Sequence, residues 1–355
     1  MKVGILTFPH SPSLGAMLQM GALYHAVHKL GHEVEIVNYV SNNVNHQQKQ
    51  SVTLKSILIK VLSGLFLKSS KPSYQDFESK LNMFPELPIC SDEGLKDITA
   101  HFDRIVVGSD QVWNPIVTGH DQNFYLRFCK DKRQKVSYAA SFGYAHADKE
   151  HEAEISKLLS DFAYLSVREQ DGQDVVEKLT GRKATLVLDP TLLVQADYLR
   201  GVMEQTKREK PYVLFFCIKP SPKLYSQAQA YADAHGYELV TIGGRIKDRF
   251  NPAKHPEYGV GPKEFLGLVD KAECVFTNSF HGMAVSIALH SEFYVEFSSD
   301  TNSRLINLIQ MLQLQERVIG MDIPEEKDID YDKVEDLLAV QREISMNYLK
   351  MALTE

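Results

Sequence analysis

The sequence predicts an α/β fold made of two Rossmann-like domains facing each other across a cleft. Three observations carry this expectation. Short apolar or β-branched runs alternate with helical patterns from the first residue. The alternation breaks once, in a polar stretch, and then restarts. The 355 residues also exceed what one ordinary core holds.

The elements follow in order. Val3–Phe8 reads as a strand, Gly15–Leu30 as a helix opening at a glycine, and Val34–Val37 as a second strand. Arg104–Val107, Val136–Ala139, Leu165–Val167 and Thr185–Leu188 are each short, apolar or β-branched, and followed by polar turn residues. That pattern suits parallel strands covered on both faces. Asp189-Pro190-Thr191 and the polar run Glu204–Lys210 mark the break, which divides the chain into an N-terminal domain, 1–195, and a C-terminal domain, 196–355. Tyr212–Phe216, Leu239–Ile242, Cys274–Phe276 and Phe293–Val295 then read as strands of a second sheet, and Val334–Leu353 as an amphipathic helix packing back onto the body.

Two stretches fall outside the alternation. Ser41–Ser51 is polar and rich in Asn and Gln, as loops are. Ser51–Lys71 sets Leu54, Ile57, Leu58, Val61, Leu62, Leu65 and Phe66 against Lys55, Lys60, Lys68 and Lys71, an amphipathic basic helix. It reads either as a cover or lid over the sheet, or as a contact with a membrane surface or an anionic, lipid-linked substrate.

Composition is that of a soluble globular protein, with 44% hydrophobic and 24% charged residues. A formal charge of −7 argues against a general nucleic-acid partner, because no broad positive field would draw phosphate backbones. The four cysteines, Cys90, Cys129, Cys217 and Cys274, include no CxxC pair, so neither a disulfide framework nor a zinc site is expected. The opening MKVGILTF enters a strand without the longer apolar region of a signal peptide, and no run reaches the roughly eighteen apolar residues of a membrane span. A cytoplasmic, reducing setting is expected.

Five constellations could carry chemistry. In Glu273–Leu289, ECVFTNSFHGMAVSIAL, a strand breaks at Thr277, Asn278 and Ser279, and a helix resumes after Gly282. His281 therefore sits at a strand's carboxyl end beside a helix N-terminus, where anions are held in open α/β sheets. A structural cap is the plain alternative. Arg304, in Thr301–Leu305, follows a short strand and loop later and could share that cleft. Arg168, in LSVRE, ends a buried strand with an always-charged fork suited to carboxylate or phosphate, or else forms a local ion pair. VGSDQVWNP presents Asp110, Gln111, Trp113 and Asn114 at another strand end. Such a set suits a sugar, whose ring would stack on the indole while the polar groups bind its hydroxyls; a tight turn anchored by Trp113 is the alternative. Gly15 in PHSPSLGAMLQ and the small residues of SYAASFG permit close backbone approach. No GxGxxG, HExxH, P-loop or GxSxG is present.

Taken together, LGAMLQMGAL, FDRIVVGSDQVWNP, KVSYAASFG, LSVRE, VLDPTLL, EFLGLVDKAECVFTNSFHG and NSRLINLIQMLQL resemble the polysaccharide pyruvyl transferase family. Their order and spacing hold from residue 3 to about residue 320. The resemblance implies a GT-B-like fold, with the acceptor on the N-terminal side and the donor on the C-terminal side. It implies transfer of the pyruvyl group of phosphoenolpyruvate onto two hydroxyls of a sugar, giving a ketal and releasing phosphate, with no further cofactor and no metal. His281 would be the acid or a phosphate ligand; Arg168, Arg304, Ser279 and Gly282 would hold the donor. Asp110, as base, with Gly15, Gln111, Trp113 and Asn114 would face the acceptor, a sugar or lipid-linked oligosaccharide of a surface-polysaccharide precursor. Some members carry an arginine where this chain has Ser279, and Arg304 is the candidate to replace it. The first loop, often Asn-Tyr-Gly-Ala in the family, is Ser13-Leu14-Gly15-Ala16 here. Peripheral contact with the inner membrane face through Ser51–Lys71 would accompany a lipid-linked acceptor. A nucleotide-sugar glycosyltransferase and a non-catalytic glycan-binding member are the competing expectations.

Overall fold

Residues 1–41, 70–143, 150–242, 255–297, 303–320 and 328–354 are described by a computed structural model. Among them, β1 (Lys2–Leu6), β2 (Glu33–Tyr39), β3 (Met83–Ile89), β4 (Arg104–Val107) and β5 (Lys135–Ser137) form a sheet ordered β3-β2-β1-β4-β5. β6 (Ser166–Val167) and β7 (Thr185–Leu186) pair with each other. β8 (Tyr212–Phe216), β9 (Glu238–Ile242), β10 (His255–Glu257), β11 (Cys274–Thr277) and β12 (Phe293–Val295) form a second sheet ordered β10-β9-β8-β11-β12. Every ladder is parallel.

The two large sheets thus repeat one topology. In each, the order reverses beside its first strand, between β1 and β4 and between β8 and β11. Crevices for ligands open at the carboxyl ends of such strand pairs. All four residues of β4 and all four of β11 are buried, as strands covered by helices on both faces must be.

The halves meet along α1 (Leu14–Lys29). Ser13 caps it, its Oγ accepting from the Ala16 amide at 3.4 Å. Most of its residues are buried all round the helix, so it is wedged between the first sheet and helices Pro262–Asp270 and Phe280–Leu289 of the second half. Tyr198 Oη donates to the Gly21 carbonyl at 3.0 Å across this seam. The C-terminal helix, Tyr331–Thr354, crosses back to the first half: Tyr348 Oη donates to the Ser137 carbonyl at 2.7 Å, and Arg342 Nε to that of Leu192 at 2.9 Å.

Several expectations need correction. β3 and β10 are edge strands that the alternation did not announce, because Pro85, Pro88 and Pro256 remove ladder donors and interrupt the apolar run. The first strand stops at Leu6, short of Phe8. Leu165–Val167 and Thr185–Leu188 contribute only the short pair β6–β7, attached to the first sheet by isolated bridges at Tyr164 and Val167. The proposed loop after Ser41 and the basic helix as far as residue 69 lie outside the described residues.

Candidate functional site

Both crevices open onto one cavity of about 660 Å³. Its first wall comes from residues 8–15, 39–41, Asp110, Gln111, Val117 and Phe124. Its second comes from Phe216, Ile218, Ser279, Phe280, His281 and Arg304.

The second wall is built by the turn after β11. Ser279 has extended backbone, and its Oγ accepts from the Gly282 amide at 3.3 Å, starting the helix. The Ser279 amide in turn donates to Thr277 Oγ1 at 3.0 Å. Asn278 fastens this turn to the one after β8, accepting from the Ile218 amide at 3.0 Å and donating to the Lys219 carbonyl at 2.8 Å. Gly282 is needed for the close fit of helix on strand, because a Cβ there would lie 2.4 Å from Thr277 Oγ1. The positive end of the helix therefore faces the cavity, with His281 in its first turn.

His281 is 9% exposed and packs against α1. A Cβ on Gly15 would fall 2.1 Å from His281 Nδ1, so the missing side chain is what admits the imidazole. Phe280 turns its ring edge-on to the imidazole and holds both guanidiniums nearby, Arg168 Cζ at 5.2 Å and Arg304 Cζ at 5.7 Å from its centroid.

Behind His281 lies a buried charged cluster. Asp189 Oδ2 accepts from Arg168 Nη1 at 2.7 Å and Ser109 Oγ at 2.9 Å, and stands 3.8 Å from His281 Nε2. Asp189 Oδ1 accepts from the Thr191 amide at 3.0 Å and Thr191 Oγ1 at 2.7 Å. Arg168 Nη2 lies 3.5 Å from Asp110 Oδ1, and Arg168 Nε lies 3.5 Å from Glu169 Oε2. Ser141 Oγ donates to Glu169 Oε1. Asp110 adopts φ +84°, a strained value for a residue with a Cβ, and its Oδ1 accepts from the Gln111 amide at 2.8 Å.

These surroundings set protonation. Burial lowers the His281 pKa; the carboxylates of Asp189 and Asp110 raise it in part, and Arg168 and Arg304 lower it further. Burial alone would raise the Asp189 carboxyl, but the fields of His281 and Arg168 and the Thr191 hydrogen bonds outweigh it and hold it at about 2. Burial and the Arg168 charge lower the Arg304 pKa. Across the cavity His10, at φ +62°, has Nδ1 3.0 Å from Glu78 Oε2 and Nε2 2.9 Å from Asn38 Oδ1; the Glu78 bond raises its pKa.

Of the residues singled out in sequence, His281, Ser279, Arg304, Asp110, Gln111 and Gly15 share this cavity. Arg168 stands a layer behind the wall, its side chain 1% exposed, so its expected place on the donor is corrected to the ion-pair alternative: its guanidinium meets the carboxylates of Asp110, Glu169 and Asp189. Trp113 is corrected as a sugar platform. It is 1% exposed, its Nε1 donates to the Phe124 carbonyl at 3.0 Å, and Tyr125, Phe142 and Phe162 surround the ring. Asn114 is likewise committed, accepting from the Ile116 amide to cap a short helix and donating to Gln111 Oε1. Gly282 gives its amide to Ser279 rather than to the cavity.

The residues that sequence reasoning missed are Asp189, Ser109, Glu169, Phe280 and His10. Asp189-Pro190-Thr191 was legible as a break between halves and as part of VLDPTLL, but gave the aspartate no role in the site, since Asp before Pro is also an ordinary helix cap. Among the described residues, no three His, Cys, Asp or Glu are placed to hold a metal ion, and no helix is long and apolar enough to cross a membrane.

Two parallel sheets of one topology with a cavity between them define the GT-B-like class. Solved structures agree in fold. UDP-GlcNAc 2-epimerase from Methanocaldococcus jannaschii matches with TM-score 0.53 at 12% identity, over 96% of this chain and 93% of that one. A putative UDP-N-acetylglucosamine 2-epimerase from Listeria monocytogenes matches with TM-score 0.52 at 10% identity, over 98% and 90%. A glycosyltransferase of avilamycin A biosynthesis matches with TM-score 0.50 at 13% identity, over 99% and 97%. No curated protein sequence matches. The family model for polysaccharide pyruvyl transferases matches residues 14–295, and the chain belongs to that family.

Proposed function

We propose that this transferase moves the pyruvyl group of phosphoenolpyruvate onto two hydroxyls of a sugar in a surface-polysaccharide precursor, forming a cyclic ketal and releasing phosphate. The observation that carries the proposal is the meeting, in one cavity, of His281 and Arg304 from the second half with Asp110 and Gln111 from the first. The donor is a small, multiply charged anion. Arg304 and the amino end of helix Phe280–Leu289 suit it, with the Ser279 hydroxyl proton still available as a donor.

His281 delivers a proton to the methylene carbon of the donor, making the neighbouring carbon electrophilic. One sugar hydroxyl attacks that carbon with Asp110 accepting its proton; the second attacks as the carbon–oxygen bond to phosphate breaks. Of the two hydroxyl protons lost, one is balanced by the new methyl group and the other leaves with inorganic phosphate. Arg168 supports this arrangement from behind the wall, holding Asp110 and Asp189 in place. The chain acts in the cytoplasm with phosphoenolpyruvate as a substrate and no separate cofactor. A lipid-linked acceptor would bring it to the inner membrane face.

The purified protein is incubated with phosphoenolpyruvate and a panel of galactoside and mannosamine acceptors. Acceptor-dependent phosphate release is expected, and its absence across the panel overturns the proposal. A melting screen separates the competitors: phosphoenolpyruvate should raise the Tm, whereas stabilisation by a nucleotide diphosphate alone indicates a glycosyltransferase. Stabilisation by glycan alone indicates a binding protein.

A further inference from the structure

We infer that Asp189 is the positioning residue of His281: it selects the tautomer with the proton on Nε2 and leaves Nδ1 as the nitrogen presented to the substrate. The inference rests on the proton-transfer role proposed for His281.

The two imidazole nitrogens occupy different surroundings. Nε2 is buried and has no hydrogen-bond partner, and it points toward a carboxylate oxygen 3.8 Å away. Nδ1 lies beside Gly15, which has no Cβ, and both residues line the cavity. A lone pair on Nε2 would face a buried anion at that separation, whereas an N–H there presents its positive end. In a poorly solvated setting the difference is large, even without a hydrogen bond.

Asp189 is also well placed to stay where it is. Four donors already hold it: Arg168 Nη1, Ser109 Oγ, and the amide and hydroxyl of Thr191. These use the usual acceptor capacity of a carboxylate, so Asp189 is a fixed charge and the imidazole adapts to it. The groups facing the ring are Asp189 and Asp110, which favour its protonation, and Arg168 and Arg304, which oppose it. Asp189 is the only carboxylate within 4.0 Å of the imidazole nitrogens among the described residues. When Nδ1 takes the proton it later gives to the donor carbon, Asp189 balances the new charge. The pair also joins the halves, because Asp189 caps the helix Pro190–Leu193 that follows the first sheet whereas His281 belongs to the second.

The test reads the imidazole directly. Long-range proton–nitrogen correlation spectra are recorded on histidine-¹⁵N-labelled protein, with His281→Gln identifying the His281 signals. The wild type should show the Nε2–H tautomer at neutral pH; a dominant Nδ1–H tautomer overturns the inference. Asp189→Asn should make His281 at least about tenfold harder to protonate, as loss of an opposite charge at this distance does. It should also move the alkaline fall of kcat to lower pH. An unchanged His281 titration, or a lower kcat at every pH with the fall unmoved, overturns the inference and leaves Asp189 a purely structural residue. If Asp189→Asn does not fold, the wild-type tautomer decides alone. No spectrum needs substrate, so a wild type that releases no phosphate sinks the pyruvyl transfer while the tautomer is judged separately.

Discussion

The turn after β4 and the turn after β11 hold equivalent places in their sheets, each next to the strand where the order reverses. After β11 the chain enters a helix at once, capped by Ser279, and the positive helix end faces the cavity with His281 in its first turn. After β4 the chain passes through Gly108 and Ser109 to Asp110 at φ +84°, and only the short helix Pro115–Thr118 follows. One wall therefore offers an imidazole, a guanidinium and helix amides; the other offers a carboxylate and an amide side chain. An anionic donor suits the first and a hydroxyl-bearing acceptor the second. The topology is shared, but the residues in the turn decide what each crevice can hold.

Substitutions can break or sharpen this contrast. His281→Ala removes the proposed acid from the second wall and should lower kcat by about 10²–10⁴-fold, read as acceptor-dependent phosphate release. Arg168→Ala should act chiefly on stability. It strands Asp189 and Glu169 as buried charges, at about 3–5 kcal/mol by urea unfolding. A large loss of donor affinity with undiminished stability would instead bring Arg168 into the cavity. Gly15→Ala forces the imidazole away from α1, and a displacement of that size should reduce kcat by about 10²-fold. Arg304→Ala should mainly raise the KM for phosphoenolpyruvate, by about ten- to a hundredfold for one charged hydrogen bond. The smallest effect concerns pH. Because burial lowers the His281 pKa, the unfolded chain takes up that proton first as pH falls, and the fold loses stability below about 6.5, the ordinary histidine value. Between pH 7 and pH 5 the Tm of the wild type should therefore fall further than that of His281→Gln.

Much of the second wall was readable in sequence, since the strand, the Thr-Asn-Ser break, the histidine and the helix are local features with local causes. The first wall was less so. Trp113 stands among Asp110, Gln111 and Asn114 in the chain, and only packing against Tyr125, Phe142 and Phe162 turns it into core. β3 and β10 escaped because their prolines suit an edge yet spoil the apolar pattern of a strand.

The sequence by itself determined the alternating α/β architecture, the strand that breaks at Thr277–Ser279 with a helix after it, and the placing of His281 at a strand end; the start of that helix at Phe280, ahead of Gly282, came from the structure. Apolar period and capping chemistry act over a few residues, so they are written locally. Only the tertiary structure decided that Gly15 makes room for His281, that Arg168 lies behind the wall, and that Asp189 faces Nε2. Each joins residues 21 to 266 positions apart, and such pairings arise from how helices pack across the two sheets.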